Sequence, residues 1–139
     1  MAFPTYDDLA VGNTLPTLTL APISRTTLAL FAGASGDHNP IHIDIDVARS
    51  AGMPDVFAQG MLLMAYLGRM LTDWVPQQCL RDFSTRFSAI TWLQEAITCS
   101  GTVAEKLERD GERLIRLDLV ATNAKGEVKL AGQALVALG

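Results

Sequence analysis

Residues 60–71 read GMLLMAYLGRML, the most apolar stretch of the chain. From Met61 to Leu67 every side chain is apolar or aromatic, so as a helix this segment is hydrophobic around its whole circumference and must be covered on nearly every side. It falls well short of the ~20 residues that cross a bilayer. A soluble fold therefore has to wrap it, and Gly60 marks where the helix opens.

The wrapper lies downstream. Residues 80–92, 95–105, 112–122 and 127–138 carry strand-like patterns, clearest in RLIRLDLVA and VKLAGQALVAL. Short links containing Asp110-Gly111 and Lys125-Gly126 join the last three, and links this short favour antiparallel neighbours. Upstream, residues 12–20, GNTLPTLTL, alternate in polarity and predict a strand, with Pro16 placing it at an edge or a bulge. ISRTTLALFAGASGD then reads as a short helix capped by Ser24, with Leu28 and Phe31 or Ala32 on one face and Gly36 at its end. Residues 46–52 predict another helical turn. The expected fold class is α+β, a single domain over residues 1–139 in which a curved antiparallel sheet grips one central apolar helix.

Composition agrees with an ordered domain and narrows the partners. The chain has 139 residues, 49% of them hydrophobic and 19% charged, far less polar than a disordered chain. A formal net charge of -4 gives no basic surface for phosphate backbones or anionic lipid, so neither nucleic acid nor a membrane is expected. Cys79 and Cys99 lack Cys-x-x-Cys spacing and read as buried thiols in a reducing compartment. The N-terminus, MAFPTYDDLA, has no basic head or apolar run of the kind a signal peptide carries, and a cytoplasmic location is the expectation.

Residues 36–42, GDHNPIH, hold both histidines. His38 and His42 have the i, i+4 spacing of two ligands on a helix face, but Pro40 between them breaks such a helix. HIDID is a weak metal signal, so no metal is assigned. Ser35 lacks the Gly-x-Ser-x-Gly elbow of a nucleophile. General acid and base chemistry remains: on a loop bent at Asn39-Pro40, Asp37 and His42 can face one small cavity and hold a water between them. If the substrate has a carbonyl, the unpaired amides and positive dipole end at Gly60 can stabilise charge on its oxygen. The apolar helix, including Met61 and Ala65, can line a slot for an aliphatic chain. Each residue also has a plain reading: Asp37 as a turn cap, Asn39-Pro40 as a loop breaker, His42 as a satisfied core histidine, the methionines as core filler, Gly60 as helix punctuation.

The run FAGASGDHNPIH over residues 31–42, followed by Ala48, resembles the hydratase signature of the MaoC-like (R)-specific enoyl-CoA hydratases and dehydratases, centred on Gly-Asp-x-Asn-Pro-x-His. QGMLLMAYLGRML is similar to that family's helix start, and the strand-rich C-terminal half matches in order and length. The resemblance implies a hot dog fold paired into a homodimer or higher homo-oligomer, with no cofactor. It implies that Asp37 and His42 hold the catalytic water, that the Gly60 amide binds the thioester carbonyl, and that Asn39 shapes the loop or orients the histidine. Two positions depart from the pattern: Gln59 stands where relatives commonly have histidine, and Ala65 where some hydratases have a serine contacting substrate. The implied reaction is hydration of a trans-2-enoyl thioester, carried by coenzyme A or acyl carrier protein, to the (R)-3-hydroxyacyl form. The alternatives are a non-catalytic hot dog subunit that binds thioesters or a partner chain, and a hot dog thioesterase.

Overall fold

Leu63, Leu67, Met70 and Leu71 lie on one side of helix α3 (Gly60–Trp74), and all four are buried. They belong to the core of a computed structural model that describes residues 2–139. The other side of this core is an antiparallel sheet of five strands: β1 (Leu18–Thr19), β2 (Leu80–Phe87), β3 (Thr98–Arg109), β4 (Glu112–Thr122) and β5 (Val128–Ala137). Their spatial order is β1-β3-β4-β5-β2, and α3 lies across β3, β4 and β5. Ile115, Leu117, Leu119 and Ala121 alternate along β4 into the core cluster that holds the helix residues. That period of two is what a sheet with one face on a helix requires. Burying each leucine contributes about 1.5–3 kcal/mol.

Local chemistry sets the joints. Asp110 and Gly111 both have positive φ, 52° and 77°, the backbone twist of a tight hairpin turn, and they close β3 onto β4 with Arg109 opposite Glu112. Upstream, α1 (Arg25–Ser35) begins where the Ser24 Oγ accepts from the Thr27 amide at 3.1 Å, and it ends at Gly36 in the left-handed conformation. The predicted turn at residues 46–52 is α2 (Ile45–Ser50). Cys99, in β3, is buried under α3, and that burial pushes its thiol up to about 12.

Three expectations need correction. The strand expected over residues 12–20 shrinks to Leu18–Thr19 and an isolated bridge between Thr14 and Thr102, because Pro16 between them has no amide hydrogen to donate. The strand expected over 80–92 leaves the sheet after Phe87. Residues 88–92 cross instead to the segment before α3, where Thr91 O accepts from the Ala58 amide at 2.9 Å. Finally, α3 is not covered all round: Met61, 52% exposed, and Ala65 lie on an open face of the helix. The sheet curls around one side of the helix.

Gly132 of β5 pairs with Thr85 of β2. A Cβ there would lie 2.0 Å from the Ser84 carbonyl oxygen and 2.8 Å from the Thr85 Cα, both backbone atoms. Gly132→Ala is expected to destabilise by about 3 kcal/mol, the upper range for overpacking. Gly33→Ala, in an exposed part of α1 with nothing within 4 Å of the new methyl, is expected to stabilise by about 0.5–1 kcal/mol. Urea denaturation of both variants checks the pair of signs.

Candidate active site

The loop after α1 is folded by three successive hydrogen bonds between side chains and backbone. The Asp37 amide donates to Ser35 Oγ at 3.1 Å, the Asn39 amide to Asp37 Oδ1 at 3.2 Å, and the Ile41 amide to Asn39 Oδ1 at 3.1 Å. The last starts a single 3-10 turn, Pro40–His42, in which proline sits at the first position because it has no amide to leave unpaired. Asn39 thus shapes the loop with its own carbonyl oxygen, and His38 is exposed.

This turn sends the His42 ring inward. Its Nδ1 lies 2.7 Å from the Phe57 carbonyl oxygen, and the ring meets the edge of the Phe57 ring with centroids 5.0 Å apart. A carbonyl oxygen only accepts, so Nδ1 carries the hydrogen and, in the neutral imidazole, Nε2 presents a lone pair. That Nε2 stands 3.9 Å from Asp37 Oδ2, with the histidine side chain 12% exposed and the aspartate 41%. The gap is too long for a direct hydrogen bond. It is short enough for one oxygen atom to touch both groups.

One depression takes in Asp37, and a second takes in Phe57, whose carbonyl and ring meet His42. Asp37 shares one of about 440 Å³ with Phe31, Met61, Ala65, Gly68 and Phe83, a nearly all-apolar wall along the open face of α3. Gly60 lies in the other, of about 350 Å³, with Phe57, Phe87, Ile90 and Thr91. As the first residue of α3, Gly60 has no carbonyl one turn back within the helix to receive its amide. A Cβ on it would lie 2.8 Å from the Phe87 ring, so glycine is what allows that ring to rest against the helix start. Gln59, just before it, is buried; its Nε2 donates to the Leu28 carbonyl at 3.0 Å and ties α1 to the start of α3, while its Oε1 is buried without a partner among the described residues.

The structure therefore brings Asp37 and His42 together, sets Met61 and Ala65 beside Asp37, and places Gly60 beside Phe57. Sequence reasoning missed Phe57 and Phe87. The first acts through a backbone carbonyl, which has no sequence signature, and the second closes a strand that was expected to run on. Among the described residues no three His, Cys, Asp or Glu side chains gather in a way that could hold a metal ion, and no helix is long and apolar enough to cross a membrane.

The beta subunit of 3-oxo-4,17-pregnadiene-20-carboxyl-CoA hydratase from Mycobacterium tuberculosis is 29% identical over 118 residues, 84% of this chain and 88% of that one. Among solved structures, the R-hydratase PhaJ1 from Pseudomonas aeruginosa, unliganded, is 26% identical with a TM-score of 0.83, covering 96% of this chain and 84% of that chain. The ChsH1-ChsH2 complex from Mycobacterium tuberculosis is 25% identical with a TM-score of 0.79, covering 94% and 98%. Likeness over nearly the whole chain identifies the helix in its curled sheet as a hot dog fold. A family model described as the MaoC like domain matches residues 9–124, a span that holds the loop with Asp37 and His42, all of α3 and the first three long strands. The chain belongs to the MaoC-like dehydratase family.

Proposed function

We propose that the protein is a hydro-lyase that reversibly hydrates trans-2-enoyl thioesters of coenzyme A or acyl carrier protein to (R)-3-hydroxyacyl thioesters. The observation that carries this reading is the 3.9 Å gap between Asp37 Oδ2 and His42 Nε2, with Nδ1 already committed to the Phe57 carbonyl. Two acceptors at that spacing receive both hydrogens of one water, which leaves its oxygen lone pairs for the substrate's C3. Asp37 is the general base; His42 holds the water and shares the return of the proton to C2. Hydroxyl and hydrogen come from one water on one face, so the addition is syn and atoms balance without a cofactor. The Gly60 amide donates to the thioester oxygen as negative charge builds there. The (R) outcome draws support from the structural neighbour named as an R-hydratase.

Asp37→Asn keeps the shape of the loop and removes the base. A loss of about 10²–10⁴-fold in turnover of crotonyl-CoA is expected, with little change in melting temperature. Near-normal hydration by the variant, followed at the enoyl thioester absorbance band, would refute the assignment.

The apolar depression beside Asp37 is the proposed acyl slot, with Met61 and Ala65 on its wall. Ala65→Leu projects three more carbons into it. For acyl chains long enough to fill the slot, kcat/KM is expected to fall by about 10–200-fold relative to crotonyl-CoA, the discrimination that misfit in an apolar pocket allows. A series of enoyl-CoA lengths measures it; equal losses at every length would remove these residues from the acyl site.

We read subunit pairing from the edge of β2. Among the described residues it pairs with β5 alone, leaving its other edge, eight residues long, without a strand partner, and an open edge of that length is a template for a further strand. We take the occupant to be a second copy. A second reading has one observation in its favour: the curated relative at 29% identity is named as a beta subunit, which fits a chain that works beside a different partner. Sedimentation of the purified protein is expected to give twice the 15.0 kDa chain mass together with hydratase activity. A lone chain without activity would favour the paired-subunit reading.

A further inference from the structure

We propose that Lys129 is a positioning residue for this site: through residues 88–95 it fixes the Phe57 carbonyl, and through that carbonyl the tautomer and aim of the His42 imidazole. The proposal rests on the hydratase reading for its kinetic consequence and on geometry alone for its structural one.

Lys129 lies on β5 with its side chain 2% exposed. Its Nζ donates to the Ile90 carbonyl at 2.8 Å, pairs with Glu95 Oε2 at 3.1 Å, and hydrogen-bonds to Glu127. Three ammonium hydrogens thus meet three acceptors, the condition under which a buried charge is tolerated. Burial works against both charges, yet the hydrogen bonds outweigh it: Glu95 is held below the usual carboxylate range and Lys129 above its own ordinary value.

Glu95 extends the grip. Its Oε2 accepts from the Trp92 amide at 2.7 Å and its Oε1 from Asn123 Nδ2 at 2.9 Å, while Gln94 takes a positive φ of 67° to complete the turn. The segment held this way is the one laid against the entry to α3. The Ala58 amide donates to Thr91 O at 2.9 Å, Phe57 is bridged to Trp92, and the two rings meet edge to face at 5.8 Å. Phe57 then presents its carbonyl to His42 Nδ1 and its ring to the imidazole. The path from Lys129 to the imidazole is therefore continuous, each step a hydrogen bond, a bridge or a ring contact.

A purely structural role is the competing explanation, and physics argues against it. A well-packed apolar side chain of similar volume is often neutral or stabilising in place of a buried ion pair. What an apolar residue cannot do is fix the Ile90 carbonyl and, through Glu95, the Trp92 amide.

The test is Lys129→Met, which keeps the length of the side chain and removes its donors. Long-range proton-nitrogen spectra of the unliganded protein are expected to show His42 as a single Nδ1-protonated tautomer in the wild type and as a mixture in the variant. The kcat/KM for crotonyl-CoA is expected to fall about 10–100-fold, the loss that a small misplacement of a reacting group produces. Val103→Ala, a core truncation in β3 outside this path, serves as the control for lost stability and is expected to leave tautomer and kcat/KM near wild type. Should Lys129→Met fail to fold, Glu95→Gln is measured in its place with the same expectation. A folded variant that keeps the wild-type tautomer overturns the proposal, whether or not its turnover falls. An inactive wild type whose tautomer still scrambles on mutation supports the positioning role while removing the hydratase reading.

Discussion

The apolar circumference of α3 is the constraint from which the rest of the molecule follows. A helix with Leu63, Leu67, Met70 and Leu71 on one side has to be pressed into apolar surface, and the alternating residues of β3, β4 and β5 supply it. The same residue sequence leaves Met61 and Ala65 exposed on an open face of the helix. That remaining apolar face borders Asp37. The helix is at once the centre of the core and one wall of the site, so the first turn of α3 is held rigidly by everything packed behind it.

Beside that wall the candidate site is shaped by backbone as much as by side chains. Asp37 and His42 come from a loop that folds itself through Ser35, Asp37 and Asn39, and the imidazole is aimed by the carbonyl of Phe57. Neither group has an unusual residue next to it in sequence. Their closeness arises from a tight turn on one side and a crossing segment on the other.

Much of this was legible before any coordinates. The buried helix, the Ser24 and Gly36 ends of α1, the Asp110-Gly111 hairpin and the boundaries of β4 all rest on local rules, periodicity and turn chemistry, that operate within a few residues. The Gly-Asp-x-Asn-Pro-x-His spacing likewise announced a bent loop bearing an acid and an imidazole. The failures share a different cause. Where β2 ends, where Phe57 points and why Lys129 is buried are decided by partners distant in sequence, 15 residues away for His42 with Phe57 and 39 for Lys129 with Ile90, and by the bond between Ala58 and Thr91. A lysine in a strand pattern reads as an exposed position, and nothing within ten residues signals that Glu95 and a carbonyl are waiting for it.

The placement of Cys99 has a consequence for the protein's own durability. An α,β-unsaturated thioester of the kind proposed as substrate is a soft electrophile, and thiolates add to its β-carbon without any enzyme. Cys99 lies beneath α3, shut from solvent, and burial keeps its thiol protonated up to about 12. At neutral pH it offers almost no nucleophile to such a molecule. The core of a protein proposed to handle such a molecule can therefore use sulfur as packing material without offering it a nucleophile.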